Sequence, residues 1–128
     1  MATPGHMQIL IVEDDEFLRK ACCDTLRRDG YKVVAAHDGE EALRKVEADL
    51  PDVVLLDWLL PKVPGLEVLR AIKADVRSRD VPVLILSNSS REEDRERALE
   101  LGAAAYLIKA DLSLRDLRSR IKNLLKVS

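Results

Sequence analysis

Short apolar runs alternate with longer amphipathic segments along the chain. The runs are nearly continuous, which is typical of parallel strands that helices cover on both faces. We predict five strands, at residues 8–12, 32–36, 53–56, 81–86 and 105–108.

The segments between the strands repeat apolar residues at helical spacing, which predicts five helices. The first carries Leu18, Ala21, Cys22, Thr25 and Leu26 on one face. It ends at Gly30, a residue type that suits the left-handed position after a helix. The second begins at Asp38, with Glu41 three residues later as in a capping box, and buries Leu43 and Val46.

The last three helices differ in their apolar content. The third places Val68, Leu69, Ile72 and Val76 at helical spacing along one face, and the fifth does the same with Leu117, Ile121, Leu124 and Leu125. The fifth begins at Ser113, with Asp116 three residues on. The fourth, at residues 91–101, opens with charged residues only and is followed by Gly102. Since little apolar surface anchors the fourth helix, we expect small inputs to move it.

Five strand–helix units with short connections predict one α/β domain, a doubly wound parallel sheet with helices on both faces. We predict the flavodoxin-like strand order 2-1-3-4-5. Ligands of such sheets bind beyond the carboxyl ends of the strands, at the point between strands 1 and 3 where the winding reverses.

Composition narrows the class of protein. The 128 residues are 47% hydrophobic and 34% charged, and their 21 basic and 23 acidic residues leave a net charge of -2, which disfavours direct binding of nucleic acid. No apolar run reaches the ~20 residues that span a bilayer, and no leader pattern is present, so we expect a cytoplasmic protein without membrane contact. Residues 1–7 have no pattern and are interpreted as a tag or disordered start, which leaves residues 8–128 as the domain.

The two cysteines, Cys22 and Cys23, are adjacent. Neighbours on a helix point in different directions, so no structural disulfide is predicted. Cys22 lies on the apolar face of the first helix and is interpreted as a small core residue.

Four of the five apolar runs end at residues that can do chemistry. Glu13, Asp14 and Asp15 follow the first run, Asp57 the third, Ser87 the fourth and Lys109 the fifth. The exception is the run that ends at Ala36, which belongs to a predicted edge strand.

Each of these residues alone has a purely structural explanation. Either Asp14 or Asp15 could cap the first helix, Asp57 could belong to a turn, Ser87 could start a helix, and Lys109 could be a solvated lysine. Their joint position at one end of the sheet is harder to explain in this way. Three crowded carboxylates repel by on the order of several kcal/mol unless a cation lies among them, and a small site of hard oxygen ligands suits Mg²⁺.

This combination predicts phosphoryl chemistry. A carboxylate beside Mg²⁺ can attack phosphorus and become an acyl phosphate, while the metal and a lysine neutralise the transferring group. We assign Asp57 as the nucleophile, Glu13 and Asp14 with Asp57 as metal ligands, and Ser87 and Lys109 as partners of the phosphoryl group.

In the order and spacing of these motifs, the sequence resembles the bacterial response-regulator receiver family, from residue 8 to about residue 126. The matching residues are Glu13 and Asp14 for the acidic pair, Asp57, Pro61 and Gly65 for the phosphoacceptor segment, Ser87 for the hydroxyl residue, Tyr106 for the switch aromatic and Lys109 for the lysine. The resemblance also implies that the backbone carbonyl of Leu59 is a metal ligand.

The resemblance implies a role in two-component signalling. Asp57 would accept a phosphoryl group from a sensor histidine kinase or phosphotransfer protein, and the domain would act on a downstream effector or output domain. Ser87 would be drawn inward, Tyr106 would turn into the vacated space, and the surface of the fourth helix, fifth strand and fifth helix would shift. A homodimer through that surface is left open, as is whether the chain stands alone or belongs to a longer regulator. Slow loss of its own phosphoryl group is expected, without turnover of an external substrate.

Three positions depart from the family pattern. Ala110 replaces the proline that usually follows the lysine, and because a non-proline cis bond costs about 3 kcal/mol or more, we predict a trans Lys109–Ala110 peptide. This puts the aim of Lys109 in question. Asn88 replaces a small residue and could alter access to the phosphate, while Asp111 replaces an aromatic residue, which predicts a less anchored loop.

Two other functions are weighed against this one. A receiver-like module could act by binding alone, without phosphorylation, but the intact acidic pair, Asp57, Ser87 and Lys109 disfavour it. A phosphohydrolase with an aspartyl-phosphate intermediate would need a substrate pocket and a cap, for which no segment remains. No Gly-rich phosphate loop is present, which disfavours a nucleotide hydrolase.

Overall fold

The computed structural model describes residues 7–125, which form five strands and five α-helices in alternation. The strands are β1 (Gln8–Val12), β2 (Lys32–Ala36), β3 (Val53–Asp57), β4 (Val83–Ser87) and β5 (Ala105–Ile108). The helices are α1 (Glu16–Arg28), α2 (Gly39–Ala48), α3 (Gly65–Ala74), α4 (Glu92–Glu100) and α5 (Leu114–Leu125). A short 3-10 helix, Lys109–Asp111, lies between β5 and α5. The interpretation of residues 1–7 lies outside the described residues, except at Met7.

The five strands form one parallel sheet in the order β2-β1-β3-β4-β5, which confirms the predicted topology. β1 pairs with both β2 and β3, so the winding reverses there. Val12 lies opposite Leu56, and Asp57 lies opposite Leu86. Residues that follow β1, β3 and β4 therefore meet at the same end of the sheet.

Two apolar cores cover the two faces of the sheet. Leu10 and Leu56 belong to one core, together with residues of α2, α3 and α4. Ile11 and Leu55 belong to the other, together with residues of α1 and α5. Because successive residues of a strand point to opposite faces, both faces must be apolar, and this explains the continuous apolar runs.

The first two helices begin at aspartate caps. The Leu18 N–H donates to Asp15 Oδ1 at 3.2 Å, and the Glu41 N–H donates to Asp38 Oδ1 at 2.8 Å. The Glu41 carboxylate accepts from the His37 N–H at 2.8 Å, one residue before the cap. The prediction that α2 begins at Asp38 is confirmed, in a variant of the capping box.

The glycine predicted to end the first helix lies where expected. Gly30 has a φ of 96°, a left-handed conformation that favours glycine. Its N–H donates to the Arg27 carbonyl at 3.0 Å, and the Tyr31 N–H donates to the Leu26 carbonyl at 3.3 Å. These two bonds form a Schellman motif, which closes α1 before β2.

The third helix is shorter than predicted. It ends at Ala74, and Val76 is 70% exposed, so the prediction that Val76 lies on the buried face is wrong. Asp75 explains the ending, because its Oδ1 accepts from the Arg77 N–H at 2.9 Å and so favours a turn over another helical residue.

The fourth strand begins two residues later than predicted, at Val83. Pro82 precedes it and has no N–H to donate to a neighbouring strand. β3 and β4 each extend one residue beyond the predicted apolar run, so Asp57 and Ser87 are strand residues.

Cys22 and Cys23 are buried and free, and the burial of Cys22 agrees with its interpretation as a core residue. Burial raises the pKa of the Cys22 thiol to about 11. Very little thiolate therefore forms at neutral pH.

The fourth helix is weakly anchored. Ala98 is its one buried residue, and Leu99 is 39% exposed. The sequence prediction of a charged, lightly packed helix is confirmed. Within residues 7–125, no helix is long and apolar enough to span a membrane.

Candidate functional site

The predicted site residues lie at the carboxyl ends of four strands. Glu13 and Asp14 follow β1, Asp57 ends β3, Ser87 ends β4 and Lys109 follows β5. The parallel arrangement brings these ends to one side of the sheet. The structure therefore groups residues that are far apart in the sequence.

Three carboxylates form the centre of the site. Glu13, Asp14 and Asp57 each offer a carboxylate oxygen within 4.8 Å of the others. Glu13 and Asp57 are buried, whereas Asp14 is exposed. Asp15 caps α1, so of the two candidates for the cap it is Asp14 that stays available to the cluster.

Glu13 is held at both ends of its carboxylate. Its Oε2 accepts from the Asp15 N–H at 3.2 Å, and its Oε1 lies 2.7 Å from the Lys109 ammonium nitrogen. Oε1 is buried without a hydrogen-bond partner, so the ion pair with Lys109 alone compensates its charge. Arg19 donates to the Glu13 carbonyl at 2.7 Å and fixes the start of the loop.

Lys109 points into the cluster. Its ammonium nitrogen lies 3.3 Å from Asp57 Oδ1 in addition to its contact with Glu13. The described chain contains no cis peptide, so the predicted trans Lys109–Ala110 bond is confirmed. The 3-10 helix that begins at Lys109 aims the side chain without the proline usual in the family.

The cluster carries more negative than positive charge. Burial, together with the neighbouring carboxylate of Glu13, raises the pKa of Asp57 to about 7, and Lys109 offsets only part of this. Burial alone would lower the pKa of Lys109, but its contacts with Glu13 and Asp57 outweigh burial and raise it. Lys109 is therefore charged at neutral pH, and a further cation would relieve the remaining repulsion.

These donors fit a small divalent cation. The cluster offers oxygen ligands only, and the buried Glu13 Oε1 is engaged by the Lys109 ion pair alone. Asp14 is exposed, which leaves space for the water molecules that Mg²⁺ keeps in its coordination shell. The side chains of Glu13, Asp14 and Asp57, which the sequence predicts as metal ligands, thus lie close enough together to hold one ion.

The loop after β3 is built tightly against the start of α3. A Cβ on Gly65 would lie 2.4 Å from the Asp57 carbonyl oxygen and 2.9 Å from the Trp58 Cα, so only glycine permits this approach. The Leu59 N–H donates to Asp57 Oδ1 at 3.3 Å, and the Leu59 side chain is 67% exposed. Leu59 therefore contributes its backbone to the site and presents its side chain to solvent.

Ser87 and Tyr106 are both buried, on neighbouring strands. The Tyr106 hydroxyl donates to the Ser89 carbonyl at 2.8 Å, and the Ser89 N–H donates to Ser87 Oγ at 3.0 Å. The Tyr106 ring packs edge-on against Trp58, with ring centroids 6.3 Å apart. Contacts thus connect Trp58, the residue after Asp57, to Tyr106, and hydrogen bonds through Ser89 connect Tyr106 to Ser87.

The sequence interpretation missed two residues, Arg19 and Ser89. Arg19 lies one helical turn into α1, where an arginine close after an acidic pair was a usable signal. Ser89 follows two residues after Ser87 in a serine-rich stretch, and no motif in the sequence distinguishes it from its neighbours. Asn88 and Asp111, which depart from the family pattern, are both exposed.

Comparison with known proteins agrees with this geometry. The family model described as "Response regulator receiver domain" matches residues 9–122. The phosphate regulon transcriptional regulatory protein PhoB of Klebsiella pneumoniae is 38% identical over 119 residues, which are 93% of this chain and 52% of that protein. The alkaline phosphatase synthesis transcriptional regulatory protein PhoP of Bacillus subtilis is 39% identical over 123 residues, 96% of this chain and 50% of that protein. The chain spans about half the length of these curated relatives.

Solved structures show the same fold. The chemotaxis response regulator CheY4 of Vibrio cholerae superposes with a TM-score of 0.86 at 28% identity, over 93% of this chain and 98% of that one. The receiver domain of a sensor histidine kinase from Pseudomonas aeruginosa PAO1 gives 0.85 at 31% identity, over 94% and 98%. That second structure has a magnesium ion coordinated in its active-site cleft.

Proposed function

This chain belongs to the response regulator receiver domain family, and we propose that Asp57 is the residue that accepts its phosphoryl group. As a receiver domain of two-component signalling it is a signalling domain and not an enzyme that turns over an external substrate. The observation that supports Asp57 most directly is the grouping of its carboxylate with those of Glu13 and Asp14, beside the Lys109 ammonium.

The residues divide the chemical work. A carboxylate oxygen of Asp57 attacks phosphorus, an oxygen–phosphorus bond forms, and the bond between phosphorus and the donor breaks as the donor leaves with its electron pair. Lys109, 3.3 Å from Asp57 Oδ1, holds the carboxylate and neutralises charge on the incoming group. Mg²⁺, when held by Glu13, Asp14, Asp57 and the Leu59 carbonyl, supplies further positive charge.

Ser87 and Tyr106 carry the response. The buried Ser87 hydroxyl lies at the end of β4, next to the strand that ends in Asp57, where it can donate to a phosphoryl oxygen. Movement of Ser87 toward the phosphoryl group would shift Tyr106 through Ser89, and with it the surface of α4, β5 and α5. Structures with and without a phosphoryl mimic that show Tyr106 and this surface unmoved would contradict the switch.

The partners follow from the family. The phosphoryl donor is a sensor histidine kinase or a phosphotransfer protein in the cytoplasm, and the receiver of the signal is an output domain or a separate effector. A homodimer through α4, β5 and α5 is a second use of the same surface. We assign residues 8–128 to the receiver domain, and we propose that its acyl phosphate hydrolyses slowly without any other substrate.

A small-molecule phosphodonor with Mg²⁺, read out by mass spectrometry, tests the proposal. Wild type should gain one phosphate, and Asp57→Asn should gain none. The matched control is Asp80→Asn. Asp80 is exposed and precedes β4, at the end of the strand opposite to the site, so this variant should be phosphorylated like wild type. A chelator should abolish the reaction in wild type and in Asp80→Asn.

A receiver-like module that binds partners without phosphorylation is the alternative. The complete cluster and the correct aim of Lys109 do not favour it. Wild type that remains unmodified in the presence of Mg²⁺ and donor would support this alternative and overturn the proposal.

A further inference from the structure

Ser89 uses each of its hydrogen-bonding groups, and it does so toward three different parts of the molecule. Its N–H donates to Ser87 Oγ at 3.0 Å, and its carbonyl accepts from the Tyr106 hydroxyl at 2.8 Å. Its own hydroxyl donates to Asp94 Oδ2 at 2.5 Å and accepts from the Arg91 N–H at 3.2 Å. One residue therefore joins the hydroxyl position, the switch aromatic and the first turn of α4.

The side chain of Ser89 matters because α4 has few other attachments at this end. The cap position, Arg91, makes no side-chain capping bond, and the one buried residue of the helix, Ala98, lies near its other end. Asp94 is half-buried and belongs to the first turn of α4. The Ser89–Asp94 bond is thus a direct side-chain link between the loop after β4 and the start of this helix.

The hydrogen bond between Ser89 and Ser87 leaves the Ser87 hydroxyl able to act as a donor. Because Ser87 Oγ accepts from the Ser89 N–H, its own proton is free to be donated elsewhere. A phosphoryl oxygen on Asp57 is the acceptor that the proposed function supplies. If Ser87 moves to reach it, the backbone of Ser89 must follow or lose this bond.

We propose that Ser89 is a positioning residue, and that its side-chain hydrogen bond to Asp94 transmits the movement of Ser87 to α4. The backbone bonds of Ser89 to Ser87 and Tyr106 require no particular side chain, whereas the link to α4 requires a hydroxyl. The inference rests on the proposed phosphorylation of Asp57. It adds a residue to the response that neither the sequence motifs nor the family match assigned.

Amide NMR spectra with and without beryllium fluoride and Mg²⁺, a mimic of the phosphoryl group, test this role. In wild type, the amides of α4 should shift when the mimic binds. In Ser89→Ala and in Asp94→Ala, these shifts should fall to less than half of the wild-type values, while a phosphodonor still modifies Asp57. Ser89→Thr, which keeps the hydroxyl, should restore the response.

Ser90→Ala is the matched control, since Ser90 is the exposed serine next to Ser89. In this variant, the amide shifts of α4 on binding of the mimic should be as large as in wild type. A full α4 response in Ser89→Ala, or a response lost equally in Ser90→Ala, overturns this inference alone. Wild type that takes no phosphate on Asp57 overturns the proposed function and this inference with it, and the mass spectrum distinguishes the two cases.

Discussion

Lys109 and Glu13 form the closest ion pair of the site, with 2.7 Å between Nζ and Oε1. The distance from Lys109 to the proposed phosphoacceptor, Asp57, is longer, at 3.3 Å. The Lys109 ammonium group therefore neutralises the carboxylate oxygens of Glu13 and Asp57, which are the same oxygens that a metal would bind. A cation that enters the cluster must compete with it.

Lys109→Gln should consequently bind Mg²⁺ several-fold more tightly than wild type, because the competing positive charge is gone. Its phosphorylation should slow by about tenfold or more, because the phosphoryl group loses a charge partner. The fluorescence of Trp58, the one tryptophan of the chain, can follow the metal titration. Lys20→Gln, an exposed lysine on α1, is the control and should change neither quantity. Weaker Mg²⁺ binding in Lys109→Gln would contradict the competition.

The pKa of Asp57 predicts how the metal-free protein responds to pH. This pKa is raised from 3.8 to about 7 in the fold, so between these values the folded state holds a proton that the unfolded chain has lost. The free energy of unfolding should therefore fall, by up to about 4 kcal/mol from this group, as the pH rises through that range. Urea unfolding in the presence of a chelator measures it.

Asp57→Asn should remove this part of the pH dependence and be more stable than wild type at the alkaline end. Added Mg²⁺ should stabilise wild type there, since it binds the folded cluster only. Asp80→Asn, remote from the cluster, should follow the wild-type curve. The prediction is wrong if the stability of wild type rises with pH through this range while that of Asp57→Asn does not. Such a result would show that the fold does not destabilise the ionised carboxylate of Asp57.

Gly65→Ala should disturb the loop that carries Asp57. The added Cβ would come 2.4 Å from the Asp57 carbonyl oxygen, so the loop or the start of α3 must move. We expect a loss of about 2 kcal/mol in stability and weaker Mg²⁺ binding. Gly102→Ala is the comparison. Gly102 has a φ of 102°, which strains any other residue, and it does not belong to the carboxylate cluster. This variant should lose about 1 kcal/mol while it keeps wild-type Mg²⁺ affinity.

Ala110→Pro tests the departure from the family pattern. A proline disfavours helical backbone in the residue before it, and here that residue is Lys109, the first of a 3-10 helix. The substitution should lower the free energy of unfolding by about 1 kcal/mol and slow phosphorylation, although it restores the residue usual in the family. Ala110→Ser, which allows the same backbone, should behave as wild type in urea unfolding and in phosphate incorporation. Faster phosphorylation by the proline variant would show that Lys109 is not yet well aimed.

Most of the fold could be predicted because a parallel sheet covered on both faces leaves a strong pattern in sequence. Continuous apolar runs mark the strands, and an aspartate such as Asp38 or a glycine such as Gly30 marks where a helix begins or ends. Val76 was placed wrongly because its apolar character fitted the helical spacing, while the side-chain bond of Asp75 that ends α3 leaves no periodic signal.

The site was predictable for a topological reason. Residues that follow neighbouring parallel strands must meet, so the strand assignments alone brought Glu13 and Asp57 together. Sequence could not decide between Asp14 and Asp15 as the helix cap, because two adjacent acids fit a cap equally well. Nor could it find Ser89, whose importance depends on the positions of Ser87 and Tyr106 in space.

The single buried residue of α4 has an evolutionary consequence. Apart from the buried Ala98 and from Asp94, which is hydrogen-bonded to Ser89, the residues of this helix are largely exposed, so substitutions over that surface cost the fold very little. A lineage could thus exchange one effector for another by altering α4 while the chemistry at the strand ends stays intact. The part of the domain that meets other proteins would be free to diversify, because the part that handles phosphorus does not depend on it.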